Sequence, residues 1–542
     1  SLGGNGGQVE TSSHNNLQAY GNVDTSALFG KGGNWLLDPS NITIQAAGTY
    51  NVNVNGETYQ PTTGTQTVNV ASITAALAAG NDVTIQTGAY NAADSTTLGT
   101  VDGALGRLTL SDDIKPIIGA GLSPTLTLRS GYIAVLNGAI DATGGAGKLN
   151  VNLYSAATDN ATNRTIVVGT VDANNDILTN GGDLSFITGL GTYIQGNTAG
   201  IHFTTKGGAL QFTAATLSGT GTLSTSDIFL ANTTGLTINT TTGVNGAAGN
   251  VSFGGKVDSG NFYTFVNTGP NKISWNKAYT EAKGTTGGGS ADGDTYLSTV
   301  SSAFENSLIA AKANFLGAWL GGARYQNGSG PGDPSAPNLL ADNWTWQDGP
   351  LKGVMFNTTT TGSHPVAGVY TNWNGTTDEP NNAGNEYALQ ILGTGGTWND
   401  LNAAITNSTV SGYLVTTNLA PSTLTINAGT GAAGGTVTFS NTVGSIKALS
   451  SLSASGKSIS TTGGIKTNGG AITFNADQGI TGTNAVLDTT NGGTVANGAA
   501  ISLTNATNGN INFTGTTSFN AGSSNITIQN GPLTPAAGTG AI

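Results

Sequence analysis

The chain of 542 residues contains no cysteine, and only 8% of its residues are charged. Without cysteine, disulfide-stapled folds and zinc or iron–sulfur sites built on thiolates are excluded. Coiled coils and long helical arrays are excluded as well, because they need many more charged residues, and even an average protein has about 25%. The composition does not fit a disordered protein either, because the net charge of −12 is small for this length and 37% of the residues are hydrophobic.

Basic residues and long apolar runs are also scarce. The chain has 17 Lys and Arg residues and an isoelectric point of about 4.5, which argues against nucleic-acid binding because that needs a concentrated basic surface. No apolar run reaches the ~18 residues that span a bilayer, so we expect no transmembrane segment. The first residues lack the charged and apolar regions of a signal peptide. We therefore expect an excised part of a longer protein.

Glycine is abundant, with 84 residues, and short apolar/polar alternations recur after Gly-Gly or Gly-Asn steps. These repeats are GGDLSFITG from Gly181, GGALQFTAA from Gly207, GNVSFGG from Gly249, GGTVTFSN from Gly434, GGAITFNA from Gly469 and GNINFTG from Gly509. Alternation with β-branched residues predicts half-buried strands, and their regular spacing predicts a solenoid. Because connections between parallel strands are overwhelmingly right-handed, we expect a mainly β protein built on a right-handed parallel β-helix.

Aromatic residues mark a separate domain within this repetitive chain. Six of the seven tryptophans lie between 261 and 417, and only Trp35 lies outside that window. The segments on either side, 235–259 and 423–445, share the pattern LTIN, a Gly/Thr loop and GAAG before a short strand, so they are expected to be consecutive coils. We therefore predict a solenoid over 1–260, an inserted domain over 261–417 and a continued solenoid over 418–542.

The first segment of the chain resembles filamentous-haemagglutinin-like adhesins of two-partner secretion systems. The motifs GGQVETS, NVDTSA and WLLDPSNITI occur in order between Gly6 and Ile44. ASITAALAAGNDVTIQTG, from Ala71, continues the resemblance with one short helix before a strand. This family implies an extracellular or bacterial cell-surface location and a solenoid that serves as a stalk.

The tryptophan-rich window resembles a C-type lectin-like domain, which has an α+β fold. The matching landmarks, in order, are ISWNKAYTEAK from Ile273, TYLSTVSSAFENSLI from Thr295, AWLGG from Ala318, WTWQDGP from Trp344, YTNWNGTTDEPNNAGNEYAL from Tyr370, GGTWNDL from Gly395 and GYLV from Gly412. The spacing predicts two amphipathic helices. One places Trp275 and Ala278 on one face, and the other turns Phe304, Leu308 and Ala311 inward.

The lectin resemblance implies a Ca²⁺ site that also binds carbohydrate. Its residues are Glu379, Asn381, Glu386, Asn399 and Asp400, from the motifs EPNNAGNE and WND. Their carboxylate and amide oxygens suit calcium, which takes six to eight oxygen ligands. In the family, two sugar hydroxyls complete the ion's shell, and the Glu-Pro-Asn order resembles the mannose-type site. A cis bond before Pro380 is expected, and ordinary carboxyl pKa values of ~4 predict that calcium binding weakens towards pH 5.

The same motifs also allow an interpretation without a binding site, and the sequence departs from the family in one respect. The motifs EPNN and WND are also typical of turns, because Asn and Asp favour turns and proline is rigid. Many lectin-like domains bind neither calcium nor sugar. The family has core disulfides, whereas Tyr387 and Ala388 stand where a cysteine is expected here. The fold must then depend on its tryptophan-rich core.

The function expected from these patterns is adhesion rather than catalysis. The partners would be glycans on cell surfaces or in extracellular matrix, mannose-type ones preferred, and the chains could self-associate into filaments. A first alternative is a structural filament or matrix protein whose lectin-like domain contacts proteins or subunits. A second is a carbohydrate-active β-helix enzyme, but the sequence offers no convincing carboxylate pair or basic residue for it, and its arginines, Arg324 among them, do not cluster with acidic pairs.

Overall fold

The computed structural model describes most of the chain in two compact units. The first unit consists of the described residues before 261 and after 419, and the second unit consists of the described residues between 261 and 419. The described ranges are 4–13, 17–19, 21–27, 29–39, 42–46, 67–87, 107–130, 133–155, 165–169, 175–195, 200–215, 226–232, 234–242, 247–269, 273–283, 295–313, 316–325, 340–375, 377–383, 386–392, 396–403, 410–506 and 509–530.

The part of the chain before 261 contains one short helix among strands. Its elements are β1 (Gln8–Ser13), β2 (Gln18–Ala19), β3 (Asn34–Pro39), β4 (Ile42–Gln45), β5 (Thr67–Asn69), α1 (Val70–Ala78), β6 (Asp82–Gln86), β7 (Arg107–Leu110), β8 (Thr125–Ser130), β9 (Ile133–Leu136), β10 (Ile140–Asp141), β11 (Asn150–Ser155), β12 (Thr165–Val168), β13 (Ile177–Leu178), β14 (Leu184–Thr188), β15 (Gly191–Gln195), β16 (Ile201–Thr204), β17 (Leu210–Ala214), β18 (Asp227–Ala231), β19 (Leu236–Asn239), β20 (Val251–Phe253) and β21 (Val257–Ser259).

The middle of the chain is mixed, and strands return after it. The elements of 261–419 are β22 (Phe262–Asn267), α2 (Trp275–Ala282), β23 (Thr295–Leu297), α3 (Ala303–Lys312), β24 (Ala318–Tyr325), β25 (Leu340–Trp346), β26 (Met355–Asn357), β27 (Ala388–Ile391), β28 (Trp398–Leu401) and β29 (Gly412–Thr417). After them come β30 (Thr423–Asn427), β31 (Thr436–Phe439), β32 (Ser451–Gly456), β33 (Ser458–Thr462), β34 (Ile465–Lys466), β35 (Ile472–Ala476), β36 (Gly479–Thr483), β37 (Val486–Asp488), β38 (Ile501–Asn505), β39 (Asn510–Thr514), β40 (Ser518–Asn520) and β41 (Ile526–Asn530).

The first unit is a parallel β-solenoid, as predicted, in which successive coils add strands to the same sheets. The strand orders are β1-β3-β6-β8-β11-β14-β17-β20-β31-β33-β36-β39, β10-β13-β16-β19-β30-β32-β35-β38-β41, β2-β5-β4-β7-β9-β12-β15-β18-β21 and β34-β37-β40. Alternate residues along these strands are buried, for example in β8 and β11. This alternation explains why the sequence pattern has a period of two residues. His202 is exposed on β16, as that pattern predicts.

The recurring glycines occupy a corner where the backbone of the neighbouring coil leaves no space for a side chain. A Cβ atom added to Gly208 would lie 1.9 Å from the Gly182 carbonyl oxygen, and one added to Gly249 would lie 1.9 Å from the Gly208 oxygen. The phenylalanines of the same repeats stack inside the solenoid. Phe186 and Phe212 have ring centroids 4.6 Å apart. The repeat therefore encodes both a close backbone contact and an aromatic stack.

The coils before and after 261–419 are neighbours in the solenoid. Strand β19 pairs with β30 in parallel, with Leu236 opposite Leu424, and β20 pairs with β31. The stack continues there, because the rings of Phe253 and Phe439 lie 5.0 Å apart. The Ser422 backbone N–H donates to Ser259 Oγ at 3.0 Å. The two similar sequence segments are therefore consecutive coils, as predicted.

The second unit has a mostly antiparallel sheet and two helices. Its strand order is β22-β29-β24-β25-β26, with β23 on β29 and with β27 between β24 and β28. Strands β22 and β29, at the two ends of this unit, pair along their whole length. Both helices are capped by serine: the Lys277 N–H donates to Ser274 Oγ at α2, and the Glu305 N–H donates to Ser302 Oγ at α3.

Tryptophan indoles hold this unit together without cysteine. Trp275 Nε1 donates to the Leu320 carbonyl at 2.6 Å, and Trp319 Nε1 donates to the Ile273 carbonyl at 2.9 Å. Trp398 Nε1 donates to a buried side-chain oxygen 2.8 Å away. The residues expected to face inward from the two helices are all buried; they are Trp275, Ala278, Phe304, Leu308 and Ala311. In the part of the chain that the structure describes, no helix is long and apolar enough to cross a membrane.

Candidate functional site

Two structural elements carry the residues that the sequence nominates as a site. Asp400 lies on β28, which is anchored in the core by the buried Trp398 and pairs with β27. Glu379 lies in the loop before β27, and the Glu379–Pro380 peptide bond is cis, as predicted. Asn382, two residues after Pro380, has a φ of +54°. This left-handed conformation is one that asparagine tolerates better than most residues. The loop therefore turns sharply where it meets the strand.

The carboxylate of Asp400 fixes this loop. Its Oδ1 accepts the backbone N–H of Asn381 at 3.0 Å, and its Oδ2 accepts the backbone N–H of Asn382 at 2.9 Å. Asp400 is fully buried, so the two bonds compensate for part of the cost of removing a carboxylate from water. The strand and the loop are thus joined through one side chain.

Glu379 and Asn381 form a second link within the loop. Asn381 Nδ2 donates to Glu379 Oε1 at 2.9 Å, and the Asn381 backbone N–H lies 3.2 Å from Glu379 Oε2. Asn381 Oδ1 therefore faces away from Glu379 and accepts the N–H of Ala383 at 2.8 Å. Glu379 is only 3% exposed. This hydrogen bond fixes the positions of the Asn381 amide and the Glu379 carboxyl group relative to each other.

Glu386 joins the same group of residues through Ala383. The Ala383 backbone N–H, which donates to Asn381 Oδ1 at 2.8 Å, also lies near the Glu386 carboxylate, which interacts with the charge of Asp400. Glu379, Asn381, Glu386 and Asp400 are therefore brought together by the fold. Glu379 and Asn381 lie in the loop before β27, Glu386 lies at the end of that loop, and Asp400 lies on β28.

Asn399 is oriented differently from the other four predicted residues. Neighbouring side chains on a strand point to opposite faces, so Asn399 does not point in the same direction as Asp400. Asn399 lies opposite Gln390 on β27, and its Nδ2 donates to Gln390 Oε1 at 3.4 Å and to the Asp400 carbonyl oxygen. The named bonds of Asn399 thus connect it to the strands rather than to the loop.

Crowding of carboxyl groups changes their acidity in this site. Burial, together with a hydrogen bond to the Asp400 carboxyl, raises the pKa of Glu379 to about 8. Burial and the negative charge of Asp400 raise the pKa of Glu386 to about 7. The sequence-based expectation used ordinary carboxyl pKa values of ~4, and the pKa values of these two glutamates lie above them. A neutral solution is sufficiently acidic to protonate part of this site.

The predicted residues carry donor types that suit a hard cation. Two buried carboxyl groups in hydrogen-bonding contact repel each other when both are ionised, and either a proton or a cation relieves that repulsion. Carboxylate and amide oxygens are the ligand types that calcium takes. Among the described residues, no group of three or more His, Cys, Asp or Glu side chains is arranged closely enough to hold a metal ion. Within the candidate site, the carboxyl groups of Glu379 and Asp400 are buried and in hydrogen-bonding contact.

Two neighbours of the site were not found from the sequence. Arg324 on β24 was not predicted to belong to the site, but its Nη1 donates to Asn382 Oδ1 at 2.9 Å and to the backbone oxygen of Glu386 at 3.2 Å. Gln390 was not singled out, although it contacts Asn399. A charged residue in a strand that is otherwise apolar was the available signal for Arg324. No comparable signal pointed to Gln390, because its partner is set by strand register.

No protein-family model matches the chain, and no curated protein matches it. Among solved structures, the chain is similar to the cow C-type carbohydrate-recognition domain of CD23, determined in the presence of GlcNAc2Man3 oligosaccharide. That similarity has 21% sequence identity and a TM-score of 0.19, and it covers 29% of this chain and 88% of that chain. The chain thus combines large parallel β-sheets with a limited structural similarity to one C-type lectin domain.

Proposed function

We propose that the chain is part of an extracellular bacterial adhesin whose second unit binds carbohydrate with the help of calcium. The observation that supports this most is the pair of buried carboxyl groups of Glu379, in the loop, and Asp400, on β28. Both are hydrogen bonded to Asn381. A protein that used this loop only as a turn would not need two neighbouring buried acids, which are costly without a compensating charge.

The proposal assigns a role to each predicted residue. Glu379, Asn381 and Asp400 would hold the calcium ion, and Glu386 would move closer to complete the carboxylate set. Asn399, the fifth predicted ligand, would have to leave Gln390 and turn towards the loop. Bound calcium would supply positive charge to two adjacent sugar hydroxyls. The Glu379 carboxylate would accept hydrogen bonds from those hydroxyls, and the Asn381 amide would donate a hydrogen bond to a hydroxyl oxygen. The Glu-Pro-Asn order, by its resemblance to mannose-type sites, favours mannose-like sugars.

The solenoid unit is proposed to serve as the stalk of this adhesin, and its coils to mediate self-association into filaments. We assign binding rather than catalysis to the chain, and we place it outside the cell or on the bacterial surface. The resemblance of the first 44 residues to filamentous-haemagglutinin-like adhesins supports this part of the proposal.

A glycan array probed with the full chain tests the proposal. We expect binding to mannose-rich glycans in calcium, and its loss when EDTA is added or when Asp400 is changed to Ala. The matched control is Asp378→Asn, which removes an exposed carboxylate from the same loop. Binding to proteins or to other copies of the chain that ignores EDTA would support a structural filament instead. Release of reducing ends from polysaccharides would support an enzyme.

A further inference from the structure

Arg324 is a buried cation beside the acidic site that the proposed function leaves without a role. The residue is only 6% exposed and lies on β24. Its backbone N–H donates to the Tyr387 carbonyl at 3.0 Å, so the strand runs along the end of the acidic loop. An arginine removed from water needs hydrogen-bond acceptors for its guanidinium group. The position of those acceptors indicates what the residue does.

The guanidinium group connects the two ends of the loop segment between Asn381 and Glu386. One nitrogen, Nη1, donates both to Asn382 Oδ1 at 2.9 Å and to the Glu386 backbone oxygen at 3.2 Å. Asn382 follows the proposed ligand Asn381 directly, and Glu386 is itself a proposed ligand. A shift of either end would break one of these two bonds.

Both of these acceptors are neutral oxygens, one from an amide side chain and one from a peptide group. Arg324 can therefore hold the loop while the carboxylates of Glu379, Glu386 and Asp400 keep oxygens for a cation. The Asn382 backbone N–H simultaneously donates to Asp400 Oδ2 at 2.9 Å. Asn382 thus connects Arg324 on β24 with Asp400 on β28. The loop is fixed from both sides by strands of the core.

We propose that Arg324 is the positioning residue of this site: it clamps the loop so that Asn381 and Glu386 face Asp400 before calcium arrives. This inference rests on the proposed calcium-dependent function. The chain has no cysteine, so no disulfide can fix this loop, and the hydrogen bonds of Arg324 do so instead. A planar guanidinium group suits the task, because it offers several donors in fixed directions, whereas a lysine ammonium group does not.

The test uses Arg324→Gln and Arg324→Lys in the full chain, with Lys277→Gln as the matched control. Lys277 belongs to the same unit, and its side chain is 68% exposed in a helical ion pair with Glu281. Both Arg324 variants should weaken calcium binding by about 10- to 100-fold, the usual cost of losing a residue that orients metal ligands. The control should bind calcium like the wild type. Sugar affinity at saturating calcium should change little.

Hydrogen exchange in EDTA supplies a second readout that does not need calcium. In Arg324→Gln the N–H groups of Asn381 and Asn382 should exchange at least about tenfold faster, while those of β29 should keep wild-type rates. Asn382→Gly removes the acceptor but keeps a left-handed backbone, and its effect should not add to that of Arg324→Gln. Wild-type exchange in the loop of Arg324→Gln would overturn the inference. A wild-type chain that binds no calcium would instead contradict the proposed function, and exchange alone would then decide on Arg324.

Discussion

At the residue scale, the direction of the side-chain hydrogen bond between Glu379 and Asn381 would decide which sugar hydroxyls the proposed site pairs with. Asn381 Nδ2 is the donor and Glu379 Oε1 is the acceptor. In the double variant Glu379→Gln, Asn381→Asp, the bond can persist with its direction reversed, because the amide and the carboxylate exchange places. Total charge and the number of oxygen ligands stay the same, so we expect calcium binding to survive.

The same double variant should weaken mannose-like ligands. Its donors and acceptors would leave the hydroxyls of such ligands unpaired, at a cost of about 1–3 kcal/mol for each buried unpaired group. Preference should move towards galactose-like ligands. Calorimetry with both sugars at saturating calcium measures the change. Unchanged mannose affinity would show that the sugar binds elsewhere.

Calcium affinity should depend on pH around neutrality. Because burial and Asp400 raise the pKa of Glu379 to about 8 and that of Glu386 to about 7, calcium must displace protons there. We expect affinity to fall as the pH drops below 8, with proton release on binding at pH 7. Calorimetry in buffers of different ionisation enthalpy measures that release. Affinity that stays constant between pH 8 and pH 6 would contradict these acidities.

The metal-free unit should show the opposite pH trend in stability. Its two glutamates have higher pKa values when folded than when unfolded, where ~4.3 is usual, so the folded state binds more protons between these values. Stability without calcium should therefore decrease as the pH rises through 7 and 8. Thermal unfolding at pH 6 and pH 8.5 in EDTA tests the sign, and Glu379→Gln should flatten the trend. Added calcium should stabilise the unit most at the higher pH.

Individual residues of the site were predictable to different degrees. Glu379, Asn381 and Asp400 were nominated because their residue types and spacing match a known pattern, and the fold joins them by hydrogen bonds. The orientation of Asn399 was not predictable, because it depends on the pairing of β27 with β28, which sets Gln390 opposite it. Arg324 was missed for a similar reason, since its partners are distant in sequence and are defined only by the packed strands.

At the scale of single elements, glycine at the coil corner is the most demanding position of the solenoid. A Cβ atom at Gly208 would meet the backbone of Gly182, which cannot rotate away. Gly208→Ala should therefore lower the urea midpoint of the solenoid transition, with a cost of about 1–3 kcal/mol or more. Gly21→Ala is the matched control, because no atom lies within 4 Å of its added Cβ. Equal midpoints for the two variants would mean that the corner can relax.

The repeat motif predicts strands better than it predicts the sheet to which each strand belongs. In GGDLSF and GGALQF the strands β14 and β17 belong to the longest sheet, whereas the strand of GGAITF, β35, belongs to a different sheet. The coil before it is shorter, since β32 ends at Gly456 and β33 begins at Ser458. Turn length sets the face that a strand occupies, and alternation alone does not contain that information.

At the scale of the whole molecule, the solenoid should fold without the second unit. Removal of 261–417, with a short linker between the ends, should leave the coils stacked, because Ser259 and Ser422 are already hydrogen bonded and β19 pairs with β30. Trp35 would be the sole tryptophan of this variant. It is 1% exposed in the intact chain, so its fluorescence should stay blue-shifted. Red-shifted emission or gross aggregation would show that the coils need the segment.

The central claim is that sugar binding at this loop depends on calcium held by Glu379, Asn381, Glu386 and Asp400. Calorimetric titration of the full chain at pH 8, first with calcium and then with a mannoside, tests it most directly. We predict that the wild type binds calcium, that the mannoside binds only afterwards, and that Asp400→Ala binds neither while Asp378→Asn binds both. Mannoside binding by the Asp400→Ala variant, or a wild-type chain that binds no calcium at this pH, would contradict the account.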